Sequence, residues 1–565
     1  MKYVQIIFIL LCIVPVTSAL EGSMPLLAVQ EAGGIQKGGI AELFLEVKEG
    51  SGRVFVDTFP LSKLDTQISM RFAKEIACDF LEMDCSGYDF IYLIKAESPI
   101  IGGPSAGAAA TVLTVAVLTE TPINRSVAIS GTINSGGLIG PVGSLKEKID
   151  AAAENGISLV LIPEGEMKTN ESSLASYGIA RKVKVEEVGE ISTAIEAFTG
   201  RKFSNGAENI TISESYEMTM NSLASQLCDR NDELKSESKY YNITTEAYDA
   251  ANNLSIKGKD TFGKRQYYSA ASYCFGSNIK FNEAFLRTKN FSEQKYKSLF
   301  SELKTEIRNF EKKVNSLQIK TITDLESYMV VRERLIDAMD ATNITNSTNM
   351  PYAYSYANER LLSAHSWAKF LQHTGKELQL DNKSLEESCR KRISEAEERL
   401  EYVKIFVPVD LSSPISGLAS AYADLGNGEY AMCLFKASKA KAEVNIILNT
   451  LGIEEEFLPA LVGKKLDAAN RVIQKVSKKG MFPILGYSYY EYAENLKDTE
   501  IFSSLLYAEY SLELSNIDMY FRERKNIAID FNAWPALLFA LGIMAGSMIT
   551  YIVMRKTFKK VRKRK

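Results

Sequence analysis

The hexapeptide Gly102-Gly103-Pro104-Ser105-Ala106-Gly107 leads straight into an alanine-rich helical run that continues to Thr119. Glycines and a proline force a tight entry and leave Ser105 at the helix N-terminus. Free backbone N–H groups and the positive end of the helix dipole can stabilise a developing oxyanion there. The same position suits a serine that only caps the helix, and the local sequence leaves both readings open. Further on, Ser130-Gly131-Thr132-Ile133 ends a strand-like run. A turn containing Gly136, Gly137, Gly140, Pro141 and Gly143 then leads into a helix over 145–154. On it Leu145, Ile149 and Ala152 make an apolar stripe, and Lys148 falls on the same inward face. Lys146 points roughly the other way and is expected to be solvated. Burial disfavours a lysine's charge, and an amine of lowered pKa can act as general base toward a serine hydroxyl. A lysine snorkelling at the domain edge gives the same periodicity.

Other chemistries are scarce. Of 565 residues only His365 and His373 are histidine, both in a helical run over 359–373, where they read as packing or surface residues. A Ser-His-Asp triad confined to the Ser105 region is thereby excluded. The cysteines Cys78, Cys85, Cys228, Cys274, Cys389 and Cys433 lack metal-site spacing. They permit three bridges, Cys78–Cys85 being the best local pair, with the other four joined within the helical region. A net charge of −4 argues against a generally basic nucleic-acid binder.

The elements that must position Ser105 and Lys148 lie within 20–200, an α/β region. Strand-like runs at 26–30, 40–47, 53–58, 88–94, 127–130 and 158–162 alternate with helical ones at 66–82, 105–119 and 145–154. Over 201–532 strand patterns vanish, and Glu, Lys, Ser, Ala and Tyr fill long helical runs, a bundle or a degenerate helical repeat. Segments 266–281 and 429–444 resemble each other loosely; 345–350 reads as a polar loop and 407–416 as a break between halves.

The two ends predict a compartment. Residues 1–19 have the basic start, short apolar run and small-residue end of a cleavable signal peptide. Residues 533–554 are uncharged, enough at ~1.5 Å per residue to cross a ~30 Å hydrocarbon layer. The basic tail 555–565 would hold its side cytoplasmic. The expected localisation is a single-pass cell-membrane protein with its ectodomain outside. Nine N-x-S/T sequons, from Asn124 to Asn382, agree with exposure to a secretory pathway.

Ser105 in Gly-Pro-Ser-Ala-Gly, the Ser130-Gly131 pair, and Lys148 in Leu-Lys-Glu-Lys-x-x-Ala-Ala together resemble the proteolytic domain of Lon-type serine peptidases. The Ser-to-Lys spacing of 43 residues, Asn155-Gly156-Ile157 and Val160-Leu161-Ile162-Pro163 also match that family's pattern. The resemblance covers about 23–165, a quarter of the chain. It implies an α/β Lon-type fold with Ser105 as nucleophile and Lys148 as general base. Ser130 matches a hydroxyl residue that orients the lysine, and Pro104, Ala106 and Gly107 are supporting positions. Gly102 stands where many members carry an acidic residue, and Thr132 where a glutamate is usual. No motor domain accompanies the motif. The nearest phosphate-loop pattern, Gly258 to Lys264, ends in Arg265 where Ser or Thr should meet Mg²⁺, and is read as an interhelical segment. The arrangement is most similar to archaeal membrane-anchored Lon-like proteases without an ATPase.

The expected function is therefore an extracytoplasmic, membrane-anchored, ATP-independent serine endopeptidase acting on unfolded, membrane or secreted proteins. No cofactor, metal, ATP or nucleic acid is expected, and by family analogy copies assemble as a homo-oligomer, a hexameric ring. The competing class is a surface binding or scaffold protein whose helical module acts and whose peptidase fold is residual.

Overall fold

The computed structural model describes residues 20–32, 35–62, 64–101, 104–167, 173–203, 210–344, 346–371, 375–406, 409–451, 453–521, 542–552 and 554–555. Residues up to Arg522 make one compact unit and Glu523–Lys565 a second.

In the first unit, strands β1 (Leu20–Ala32), β2 (Ile35–Glu49), β3 (Val54–Ser62) and β4 (Tyr88–Ile101) form a sheet in the order β1-β2-β4-β3. The β1–β2 and β2–β4 pairs are antiparallel, and β3–β4 is parallel. Phe90, Tyr92 and Ile94 alternate along β4 as fully buried residues, as a strand with one face on the core requires. Helix α1 (Leu64–Leu81) packs Ile68, Phe72, Ile76 and Ala77 into that core. Helix α2 (Gly107–Leu118) is buried from Gly107 to Val117. Its two threonines satisfy themselves: Thr111 Oγ1 donates to Gly107 O (2.9 Å) and Thr114 Oγ1 to Ala110 O (2.6 Å).

A second sheet is wholly parallel, with β5 (Val127–Ile129), β8 (Leu159–Pro163) and β9 (Lys184–Val188) in the order β5-β8-β9. Between β5 and β8 lie a short antiparallel hairpin, β6 (Thr132–Asn134) and β7 (Leu138–Gly140), and helix α3 (Leu145–Glu154). Helices α4 (Leu174–Ile179) and α5 (Ile191–Thr199) complete the α/β region. The hairpin, β9, α4 and α5 are not predicted from the sequence. β6 and β7 are three residues each, too short for a readable alternation.

From α6 (Glu214–Glu237) onward the chain is helical: α7 (Thr245–Gly263), α8 (Tyr267–Lys289), α9 (Glu293–Asn315), α10 (Ile322–Ala341), α11 (Met350–Trp367), α12 (Asn382–Phe406), α13 (Ser412–Gly426), α14 (Tyr430–Thr450), α15 (Leu458–Lys478), α16 (Ile484–Leu496) and α17 (Ile501–Ser515). The loose likeness of 266–281 and 429–444 acquires a structural counterpart. Cys228 of α6 is bonded to Cys274 of α8, and Cys389 of α12 to Cys433 of α14. Each bridge ties the first helix of a triplet to its third. Cys78–Cys85 closes the end of α1.

The two regions share one apolar core and buried ion pairs. Arg399 of α12 meets Glu75 of α1 at 3.0 Å, and Lys441 of α14 reaches Glu75 (2.5 Å), Glu395 (3.0 Å) and Glu513 (3.2 Å). Burial opposes ionisation of Glu75, but Arg399 and Lys441 hold its carboxyl below the ordinary range.

Among the described residues, no helix is long and apolar enough to cross a membrane. Of the span expected at 533–554, residues 542–552 and 554 are described, helical and exposed. The remainder lies outside the described residues, as do the signal peptide at 1–19 and the tail at 556–565.

Candidate active site

Pro104–Ala106 forms a single 3₁₀ turn that runs directly into α2. Ser105 sits in this turn, half-buried, while Ala106 occupies the cap position of α2 and makes no side-chain cap bond. The capping reading of Ser105 therefore fails. Among the described residues nothing hydrogen-bonds its hydroxyl.

The backbone of Ser105 is held from the side. Gly131 N–H donates to Ser105 O (3.1 Å), and Ala108 N–H donates to Gly131 O (3.1 Å), a two-bond clasp between the turn and the chain leaving β5. Both glycines are demanded by the closeness. A Cβ on Gly131 would stand 2.5 Å from Ile139 Cγ2, and one on Gly107 would stand 2.9 Å from Ile133 Cγ2. The preceding Ser130 is 1% exposed, its N–H donating to Leu161 O of β8 (3.0 Å). Its Oγ is buried without a partner, an arrangement that costs about 1–3 kcal/mol.

Helix α3 has the bounds the spacing predicts. Leu145, Ile149 and Ala152 enter a core with Ala128, Val160 and Ile162 of the parallel sheet. Lys148 goes in with them, 5% exposed, which rules out snorkelling. Strand β2 approaches so closely that a Cβ on Gly38 would overlap Glu147 O at 1.8 Å. Burial pushes the Lys148 amine down to about 8, with Glu147 opposing weakly. Its Nζ donates to Gly143 O (2.9 Å) rather than to either serine hydroxyl. That acceptor was not anticipated, although the glycine-rich turn signalled unusual backbone there. Ser144 next to it holds φ 58°, left-handed for a residue with a Cβ. Lys146 is not simply solvated as expected: it is half-buried, its Nζ 5.9 Å above the Tyr177 ring.

Pro104 and Ala106 are half-buried beside Ser105, and Gly107 is buried at the first turn of α2. Gly102 and Gly103 lie outside the described residues, as does His373. His365 stacks on Phe310, ring centres 3.8 Å apart, far along the chain from Ser105. The phosphate-loop lookalike is the end of helix α7, where Gly258 packs on Cys274 of α8. Among the described residues no group of three or more His, Cys, Asp or Glu side chains is placed to hold a metal.

The profile of the Lon protease (S16) C-terminal proteolytic domain matches residues 96–198. That stretch is similar to the proteolytic domain of Lon-type S16 peptidases. The match begins later than the motif resemblance and runs further, through β9 and nearly all of α5. Lon proteases of several organisms are similar to this chain over short stretches. The Lon protease of Trichlorobacter lovleyi is 39% identical over 94 residues, 17% of this chain and 11% of its own. That of Geobacter metallireducens is 41% identical over 101 residues, 18% and 12% of the two chains. That of Rickettsia felis is 47% identical over 66 residues, 12% and 8%. The chain thus spans about a tenth of the length of these relatives.

Proposed function

We propose that this chain is an ATP-independent serine endopeptidase in which Ser105 attacks the scissile carbonyl and Lys148 takes its proton. The observation that carries this reading is the placement of Lys148: a lysine buried on the inward face of α3, with an amine of pKa about 8, inside the S16-matched segment. Desolvation that outweighs the neighbouring Glu147 carboxylate is what lets this amine act as a base near neutral pH. To act, Nζ leaves Gly143 O and accepts a hydrogen bond from the Ser105 hydroxyl, and the unpartnered Ser130 hydroxyl is available to accept an N–H and steer the amine. Lys148 then returns the proton to the leaving amine. Because the Ala108 amide is occupied by Gly131 O, oxyanion donors come from the amides ahead of it in the turn.

In this reading the substrates are unfolded proteins or peptides, and the chain is anchored through 533–554 with its ectodomain outside and its basic tail within. The copies assemble as a ring that hides Ser105 from folded proteins. The competing reading, a binding or scaffold protein with a residual peptidase fold, draws on Lys148 donating to Gly143 O instead of Ser105. Cleavage of unfolded casein by the purified chain separates them. The peptidase reading expects cleavage that Ser105→Ala removes, and cleavage that survives Ser105→Ala, or none in the native chain, defeats it.

A further inference from the structure

The stretch Thr132-Ile133-Asn134-Ser135-Gly136-Gly137-Leu138 carries the β6–β7 hairpin, and its tip is buried in the helical region. At the tip Gly136 holds φ 75°, and a Cβ there would stand 2.8 Å from Ala468 Cβ of α15. Leu138, 3% exposed, joins a core with Leu458, Val462 and Leu466 of α15 and Leu505 of α17. Apolar contacts of this kind suffice for adhesion. Yet four charged or polar side chains stand among them. Lys465 of α15, wholly buried, donates to Ser135 O (3.0 Å) and to Ser135 Oγ (2.8 Å), and pairs with Glu509 of α17. Ser135 Oγ donates in turn to Glu509 Oε1 and Oε2 (2.9 and 3.0 Å), and Asn449 of α14 donates to Glu509 Oε1 (2.9 Å).

A buried ion pair adds little net stability over apolar residues of similar size. A buried network with its members joined this way instead permits one geometry and penalises displacement. The geometry it specifies is that of the hairpin tip. At the other end of β6 stands Gly131, whose N–H holds Ser105 O and whose carbonyl holds the first turn of α2. The second strand is fixed as well, Ile139 N–H donating to Gly189 O (3.0 Å), with Glu190 paired to Arg471 of α15 (3.3 Å).

We propose that Lys465 and Glu509 of the helical region are positioning residues for Ser105: they clamp Ser135, and the β6–β7 hairpin passes that constraint to the Ser105 turn through Gly131. The helical region then works as a fixed support of the peptidase site. This rests on the peptidase reading above.

The test uses the full chain with Ser135→Ala, which keeps the ion pair but removes the hydroxyl between its partners. It also uses the double variant Lys465→Met/Glu509→Leu, which leaves no lone buried charge. Lys464→Ala is the control, since Lys464 pairs with Glu164 at the same interface and makes none of the bonds to Ser135. Hydrogen exchange at Gly131 and casein cleavage are read together. The clamp predicts faster exchange at Gly131 in both test variants, with kcat down roughly tenfold or more and KM within about twofold. Lys464→Ala should match the native chain in both. Gly131 exchange that stays native in both test variants, or rises only in step with amides remote from the hairpin, overturns the clamp whatever the activity. A native chain that cleaves nothing defeats the peptidase reading, while the exchange result still decides the clamp.

Discussion

The amide of Gly131 donates to the carbonyl of Ser105 at 3.1 Å, so the turn bearing the proposed nucleophile hangs from the chain segment that also bears Ser130. The constraint acts on the backbone, and among the described residues neither the hydroxyl of Ser105 nor that of Ser130 has a hydrogen-bond partner.

Ser105→Ala and Lys148→Ala should each lower casein cleavage by ~10³-fold or more with the fold intact by circular dichroism. Lys148→Arg should be as inactive, because a guanidinium does not lose its proton in this range. Lys146→Ala, which removes a cation above Tyr177, should keep activity within about twofold. Equal damage from Lys146→Ala and Lys148→Ala contradicts the assigned facing of α3.

Ser130→Ala separates stability from activity. Its buried Oγ has no partner to lose, so the melting temperature should hold or rise slightly. If the hydroxyl steers Lys148, kcat should fall roughly tenfold, the worth of one ~1.4 kcal/mol bond at the transition state. A lowered melting temperature with unchanged kcat counts against that role.

Lys148 should also tax stability. Its folded pKa, about 8, lies below the ordinary 10.5. The folded state therefore binds fewer protons between these values, and stability should rise as pH climbs from about 8 to about 10.5. Below pH 8 the deficit is complete, about 3 kcal/mol at most. Lys148→Met should accordingly melt higher than the native chain at pH 7, with the advantage shrinking as pH climbs from about 8 to about 10.5, and should be inactive. Lower melting at pH 7 contradicts the burial cost.

Much of this was legible beforehand, for particular reasons. Leu145, Ile149 and Ala152 set the phase of α3 and put Lys148 on its inward face, although the same periodicity also fitted a lysine snorkelling at the domain edge. α2 was readable because it is apolar all round. The helical region shows where reading stopped. Lys465 sits among Leu461, Val462, Leu466 and Ala469 with the same signature as Lys148, yet its meaning depends on Ser135, 330 residues away. Periodicity assigns a face but not the partner across it. The hairpin was missed because its short strands depend on Gly136 and Gly137 taking positive φ and on helices that follow much later.

The disulfide triplets make the helical region sensitive to reduction. Cys228–Cys274 and Cys389–Cys433 close loops of 46 and 44 residues, each worth ~2–4 kcal/mol. Reductant should lower the melting temperature, and replacing both cysteines of one pair should reproduce part of the loss. Melting that ignores reductant contradicts these pairings.

The proposed dyad is tested most directly by the pH dependence of kcat/KM for casein cleavage in the native chain. A neutral Lys148 is required for attack, so the account predicts activity rising with pH to a plateau, with a midpoint near 8 that disappears with Lys148→Ala. A profile flat from pH 6 to 10, a rise only near 10.5, or a midpoint that persists without Lys148 would contradict it.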